Sequence, residues 1–299
     1  MKNILQNACI YENYFVPLQS QKEIITIKTN KTMKKMSLTT LRKNANVSYL
    51  GGVAKSAKMT YSYKNGTATY CLYLAPANMS GYEVCPNSKF CRANCLNAAG
   101  RNKGDIISRG FEESNINKSR IKKTKLFFEN RELFMRLLVK EIEREMAIAE
   151  KKNMEFSVRL NGTSDLSPED FILDGKNILE IFPNVQFYDY TKMPQRMALA
   201  KKYPNYDVTL SFNGYNSNIC RSYLDNGGKV AVVFLGKMPK KFMGFPVHDA
   251  NDYDMRYLDP ASHIMGLHYH RTGTDYVNGK FVEPTTKFVV KEDDPRCEW

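Results

Sequence analysis

Cys85, Cys91 and Cys95 lie in the stretch CPNSKFCRANCLNAAGR, spaced C-x5-C-x3-C, in a chain with only seven cysteines in all. Free cysteines usually behave as small buried hydrophobes. These three stand among Pro86, Asn87, Ser88, Lys89 and Arg92, so a bound metal explains their crowding better than packing does. Structural zinc takes four closed ligands, often from C-x2-4-C pairs. Three thiols leave two readings open. A distant fourth ligand, Cys71, Cys220, His248 or His268, closes the site around zinc. Otherwise the three thiolates hold a [4Fe–4S] cluster with one iron open to a cofactor.

Other residues able to do chemistry stand where apolar runs end. RLNGTSD carries Arg159, Asn161 and Asp165, and FYDYTK carries Asp189 and Lys192. Arginine grips a carboxylate or phosphate with two parallel bonds, Asn and Asp can hold ribose hydroxyls, and Lys192 can meet phosphate or act as an acid. These five are the expected cofactor- or nucleotide-binding set. Tyr188 and Tyr190 alternate with Asp189 along a strand and are read as packing residues on its other face. Lys118, Arg120, Lys122, Lys123 and Lys125 form a run of bases without an acid, suited to a phosphate backbone. HDANDYDMRYLDP holds Asp249, Asp252, Asp254 and Asp259, which either bind Mg²⁺ or pair internally with Arg256. There is no Walker A sequence, no G-x-G-x-x-G and no H-E-x-x-H. His268 and His270 have the His-x-His shape of a nickase metal motif, but too little chain follows them, and Tyr276 reads as lying in a turn.

The elements that must place these groups follow a regular order. TATYCLYLAPAN reads as a strand stopped by Pro76. MEFSVRLNG, VQFYDYTK, YDVTLSFNG, KVAVVFLG, GFPVHDA and HIMGLHYH read as six more. Helical or turn segments alternate with them, and SRIKKTKLFFENRELFMRLLVKEIEREMAIAEKK reads as one long amphipathic helix. Alternation of this kind predicts an α/β fold, a full or partial (β/α) barrel with the three-cysteine loop after strand 1. An open, mainly parallel sheet is the alternative. Either fold gathers the C-terminal strand ends into one active face.

The 299 residues suit a single domain over 59–299, preceded at 1–58 by a basic, flexible extension in which ten Lys or Arg face only Glu12 and Glu23. A net charge of +13 and a pI near 9.3 favour a polyanionic partner, nucleic acid or a nucleotide. No apolar stretch is long enough for a membrane span, and the N-terminus lacks the apolar core of a signal peptide. An odd, clustered set of cysteines fits a reducing cytoplasm better than a disulfide framework.

YLAPANMSGYEVCPNSKFCRANCLNAAGR, KKTKLFFENRELF, RLNGTSDL, FYDYTK, GGKVAVVF and DANDYDMRYLDP…IMGL appear in order and together resemble the gene-product-88-like family of phage and plasmid proteins, over roughly residues 36–275. Some members carry a replication-associated label, which implies a nucleic-acid context. The chain departs from the family pattern at Asp249-Ala250-Asn251, where the family has Asp-Gly-Asp, and at GLHYHRTG, where it has a lysine-containing segment. Three cysteines after the first barrel strand are also similar in outline to the radical S-adenosylmethionine enzymes. Their C-x3-C-x2-C spacing and Gly-Gly-Glu motif are missing here. The expected function is thus an iron–sulfur, radical-SAM-like barrel protein, with S-adenosylmethionine as a further cofactor, acting on a nucleotide or nucleic acid in the host cytoplasm. A non-catalytic zinc protein that binds nucleic acid is the alternative.

Overall fold

A computed structural model describes residues 8–11, 14–17, 33, 35–277, 280–284 and 286–299. Its framework is an eleven-stranded mixed sheet. In chain order the strands are β1 (Gly51–Val53), β2 (Thr67–Leu72), β3 (Glu155–Arg159), β4 (Gln186–Thr191), β5 (Tyr206–Ser211), β6 (Lys229–Phe234), β7 (Lys241–Phe242), β8 (Phe245–Asp249), β9 (Ile264–His268), β10 (Val289–Val290) and β11 (Cys297–Glu298). The helices are α1 (Leu38–Ala45), α2 (Ala57–Lys64), α3 (Gly100–Arg109), α4 (Asn115–Glu129), α5 (Arg131–Lys151), α6 (Ile178–Ile181), α7 (Arg196–Lys202) and α8 (Ser217–Asp225). A separate hairpin pairs Ala8–Tyr11 with Tyr14–Pro17. No helix among the described residues is long and apolar enough to cross a membrane.

All seven strands read from the sequence are present. The parallel pairs run β2-β3-β4-β5-β6 in chain order, followed by β9 and then β8. Near-continuous apolar stretches such as KVAVVF suit strands covered on both faces, as parallel sheets require. The sheet is open, and a full barrel does not close among the described residues. Antiparallel partners flank the parallel run at both ends: β1 beside β2, and β7 with β11 beside β8. Among the described residues the two ends of this order, β1 and β11, are not paired with each other.

The expected long helix is two. Asn130 divides it: its backbone N–H ends α4 on Leu126, and its side chain caps α5 by accepting the Leu133 N–H at 3.2 Å. Short polar side chains favour such caps over helix interiors. The apolar stripe survives the break, since Phe127, Leu133, Phe134, Leu137, Leu138 and Ile142 are all buried in the main core.

Part of the expected flexible extension belongs to that core. α1 packs on α5, and Leu41 and Leu50 are fully buried. Glu141, on the buried face of α5, receives Arg42 from α1 together with the backbone N–H groups of Leu50 and Gly51. The remainder of residues 1–35 lies largely outside the described residues.

Candidate functional site

The parallel strands end at one cavity of about 1540 Å³. Groups just past their C-terminal ends line it: Tyr73 after β2, Asn161–Asp165 after β3, Lys192 after β4 and Tyr269 after β9. That is the end at which open and closed α/β sheets alike present ligands. Gly162 keeps the wall thin there, because a Cβ would come within 2.7 Å of the Tyr73 ring and 2.8 Å of Cys71 Sγ.

Cys85, Cys91 and Cys95 all line this cavity, each partly buried. The loop that carries them is tied down at several points. Val84 accepts the Asp165 N–H at 2.7 Å, and the Asn87 side chain donates to the Lys192 carbonyl at 2.9 Å. Buried Asn94 donates to the Tyr269 hydroxyl at 3.0 Å and accepts from Thr286 at 2.9 Å. Cys95 Sγ accepts the Asn97 N–H at 3.5 Å, while Cys85 Sγ donates to the Thr163 carbonyl at 3.8 Å and Cys91 Sγ to the Ser88 carbonyl at 3.6 Å. Burial pushes the Cys85 thiol up to about 12, and it also raises Cys95.

Of the distant candidates for a fourth ligand, His268 lines the same cavity. Cys220 lies in a second core around Leu210, Val230 and Phe242. Cys71 is fully buried in β2, and His248 faces the Tyr253 hydroxyl at 3.3 Å. Among the described residues, no three His, Cys, Asp or Glu side chains gather closely enough to hold a single metal ion.

Most of the expected ligand-binding set is engaged within the chain. Arg159 Nη1 donates to both oxygens of Asp254, at 3.1 and 3.0 Å. Asn161 donates to Asp189 and Leu166 and accepts from Ser164 and Leu166, which uses its hydrogen-bonding capacity in the turn after β3. Asp165 accepts from Thr191 at 2.8 Å and from the Lys192 N–H at 2.9 Å, and pairs with Arg196 at 3.0 Å. These three line the cavity, but Asn161 and Asp165 bind the β3 and β4 ends to each other, and Arg159 is held by the segment before β9.

Asp189 is buried and is not part of the cavity wall. Tyr190, read as a packing residue, lines the cavity instead, while Tyr188 is fully buried with its hydroxyl on Asp254 at 2.9 Å. The alternation along β4 was legible, but which face met the cavity was not.

Both Asp189 oxygens accept from Asn161, and burial pushes the carboxyl up from 3.8 to about 6 despite Arg196 and Asn161. The folded chain therefore holds this proton more tightly than the unfolded chain. Stability from this group is complete below about pH 4 and is lost as the pH rises through about 6, a change of about 2–3 kcal/mol. Asp189→Asn removes that slope, as read from urea unfolding at stepped pH. An unchanged slope between about pH 4 and 6 excludes Asp189 as its source.

Lys192 behaves differently from its four companions. Its ammonium lies 5.1 Å from the centre of the Phe288 ring. Burial works against its charge, but Cys91, Asp165, Cys85 and Cys95 outweigh burial and hold it above the usual lysine range. Lys192 thus lies within electrostatic reach of all three cysteines.

The basic run divides by helical geometry. Lys118, Lys122 and Lys125, at i, i+4 and i+7 on α4, face solvent, and Lys118 pairs with Glu113 at 2.5 Å. Arg120 and Lys123 line the cavity. Arg120 hydrogen-bonds Asn97 and lies 5.1 Å from the Tyr73 ring centre. The buried amides Asn97, Asn102 and Asn117 brace this corner: Asn117 accepts from Asn97 at 2.9 Å and from Asn102 at 2.8 Å.

Lys55 and Lys58 also line the cavity and were not singled out from the sequence. Lys58 donates to the Ala250 carbonyl at 2.7 Å. The only signal for them was the pair of lysines flanking the Ser56 cap of α2. In the acidic stretch, Asp254 is taken by Arg159, and Asp259 lies 3.1 Å from Arg256 with both side chains fully buried. The internally paired alternative thus holds for Arg256 and Asp259, while Asp254 has its partner outside the stretch.

No curated protein and no solved structure matches the chain. The gene product 88 family model matches residues 34–289, a span holding the cysteine loop and all seven strands of the parallel run, and the chain therefore belongs to the gene product 88 family.

Proposed function

We propose that the chain is an iron–sulfur protein whose Cys85, Cys91 and Cys95 hold a [4Fe–4S] cluster in a cavity that receives a nucleotide or nucleic-acid ligand. The observation that carries this reading is the convergence of all three cysteines on one basic cavity at the C-terminal strand ends. Two further features support it. A backbone N–H points at the Cys95 sulfur, as happens where thiolates carry metal charge, and Lys192 offsets negative charge beside the three. A cluster spreads its thiolates over different iron atoms, so it does not require three donors around one ion, as zinc does.

Held by three thiolates, such a cluster leaves one iron able to take a small molecule, S-adenosylmethionine being the form that the radical-SAM-like outline suggests. A partial barrel, β2 to β6 in chain order behind the cysteine loop, is the finer architectural form of the same reading. The protein's own groups then have separate tasks. Asn94 and Asn87 hold the loop, Lys192 balances charge, and the Asp165–Arg196 pair fixes the wall beside it.

The test is anaerobic purification with iron, sulfide and zinc analysis and a visible spectrum. About four irons and a matching amount of sulfide per chain are expected. Cys91→Ala loses them while keeping its far-ultraviolet circular dichroism. Stoichiometric zinc without labile sulfide overturns the cluster and leaves the zinc-binding alternative.

A further inference from the structure

We infer that Lys123, Lys55 and Arg120 form a phosphate subsite on the α4 side of the cavity, where the phosphate of a nucleotide or of a single-stranded nucleic acid docks. The inference deepens the function proposed above and rests on it only for the use of this cavity by a ligand.

Lys123 carries the argument. It is buried, at 6% exposure, yet its side chain borders the cavity. Among the described residues it has a ring contact but no hydrogen bond or ion pair: the ammonium lies 4.4 Å from the centre of the Tyr49 ring. Lys55 lies over the same ring, also at 4.4 Å. Two ammonium groups thus share one tyrosine, and Arg120 projects from the same face of α4 three residues before Lys123.

Like charges gathered in a partly dry site cost free energy unless an anion joins them. The cost is visible in Lys123. Burial pulls its ammonium down to about 8; the attraction of Glu141 does not restore it, and Arg120 and Lys55 add to the fall. Glu141 itself is already engaged by Arg42, Tyr70 and two backbone N–H groups. A bound phosphate would supply the missing acceptors, since its oxygens suit both ammonium and guanidinium donors.

The setting points to a nucleotide. Basic residues far outnumber acids along the cavity wall, where Asp165 and Asp254 are the acidic members and both already have cationic partners. Tyr61, 53% exposed, lines the same cavity and offers a ring on which a base can stack.

The test titrates the full, anaerobically purified chain with inorganic pyrophosphate, AMP and a single-stranded thymidine oligomer of about ten nucleotides, at low salt. Lys123→Met and Lys55→Met are each expected to weaken at least one nucleotide probe by about tenfold or more. Lys151→Gln, an exposed change at the end of α5, leaves affinity unchanged. Weakening confined to AMP identifies a free nucleotide as the source of the phosphate. Weakening confined to the oligomer, with steep salt dependence, identifies a nucleic-acid strand.

Folding is read on the same samples. Removing an unpaired buried charge leaves the urea midpoint of Lys123→Met equal to or above that of the parent chain. A lower midpoint with undiminished phosphate binding makes Lys123 structural and overturns the inference. So does affinity equal to the parent chain's in both lysine variants, or no binding of any probe by the parent chain. Iron is assayed in each preparation, so loss of the cluster reading with phosphate binding intact is distinguishable from the reverse.

Discussion

Glu141→Ala lowers the free energy of unfolding by about 3–5 kcal/mol, the range found when one partner of a buried charged network is removed. The carboxylate is 2% exposed and receives five donors. Arg42 Nε and Nη2 reach Oε1 at 3.0 and 2.8 Å. The Leu50 and Gly51 N–H groups reach Oε2 at 3.0 and 3.2 Å, and the Tyr70 hydroxyl reaches it at 2.8 Å. Alanine strands the buried Leu50 and Gly51 N–H groups and the Tyr70 hydroxyl, while Arg42, 27% exposed, keeps access to water. The loss is delocalised, because these donors come from α1, the start of β1 and β2, so one side chain on α5 joins three elements. Urea unfolding followed by circular dichroism measures it. Glu141→Gln keeps the volume but turns an amide toward donors, and is expected to fall between the parent and alanine. A cost below about 1 kcal/mol for Glu141→Ala contradicts the account.

Asp254→Ala has an effect of similar size for a different reason. Arg159 Nη1 donates to both Asp254 oxygens, and its Nε has no hydrogen-bond partner. Truncating Asp254 therefore strands a largely buried guanidinium and also frees the Tyr188 hydroxyl. The expected destabilisation is again about 3–5 kcal/mol. The double variant Arg159→Met/Asp254→Ala recovers most of it, since removing both charges leaves no uncompensated one. Additive losses in that cycle would show that the pair does not act as a unit. The pair stands at the junction of β3, β4 and the segment before β9, so its role is to hold the cavity floor.

The strands were legible because each is a short apolar run bounded by Gly, Pro or polar residues, and period and turn chemistry are local properties. The cysteine loop was legible for a similar reason: three thiols in a polar segment are improbable as core. The break at Asn130 was also written in the chain, as an asparagine between two apolar stretches, but the continuous helical stripe across it masked the cap. Glu141 could have been found as an acid four residues after Leu137, on the buried side of a strongly amphipathic helix. Such a residue needs partners, though the sequence does not say which.

What the sequence determined by itself was the seven strands of the parallel run, the polar residues at their ends and the cysteine cluster, since these depend on side-chain type and short-range spacing. The tertiary structure decided how those parts were used. Strand order and the flanking antiparallel strands left the sheet open, because edge pairing is a long-range choice. The pitch of α4 sent Lys118, Lys122 and Lys125 to solvent and Arg120 and Lys123 into the cavity, dividing one basic run into two surfaces. Partners distant in sequence, Asp254 for Arg159 and Asp189 for Asn161, converted most of the expected ligand-binding set into internal braces. Whether a polar group is free to meet a ligand depends on what folding places within hydrogen-bonding distance, and no local pattern carries that distance.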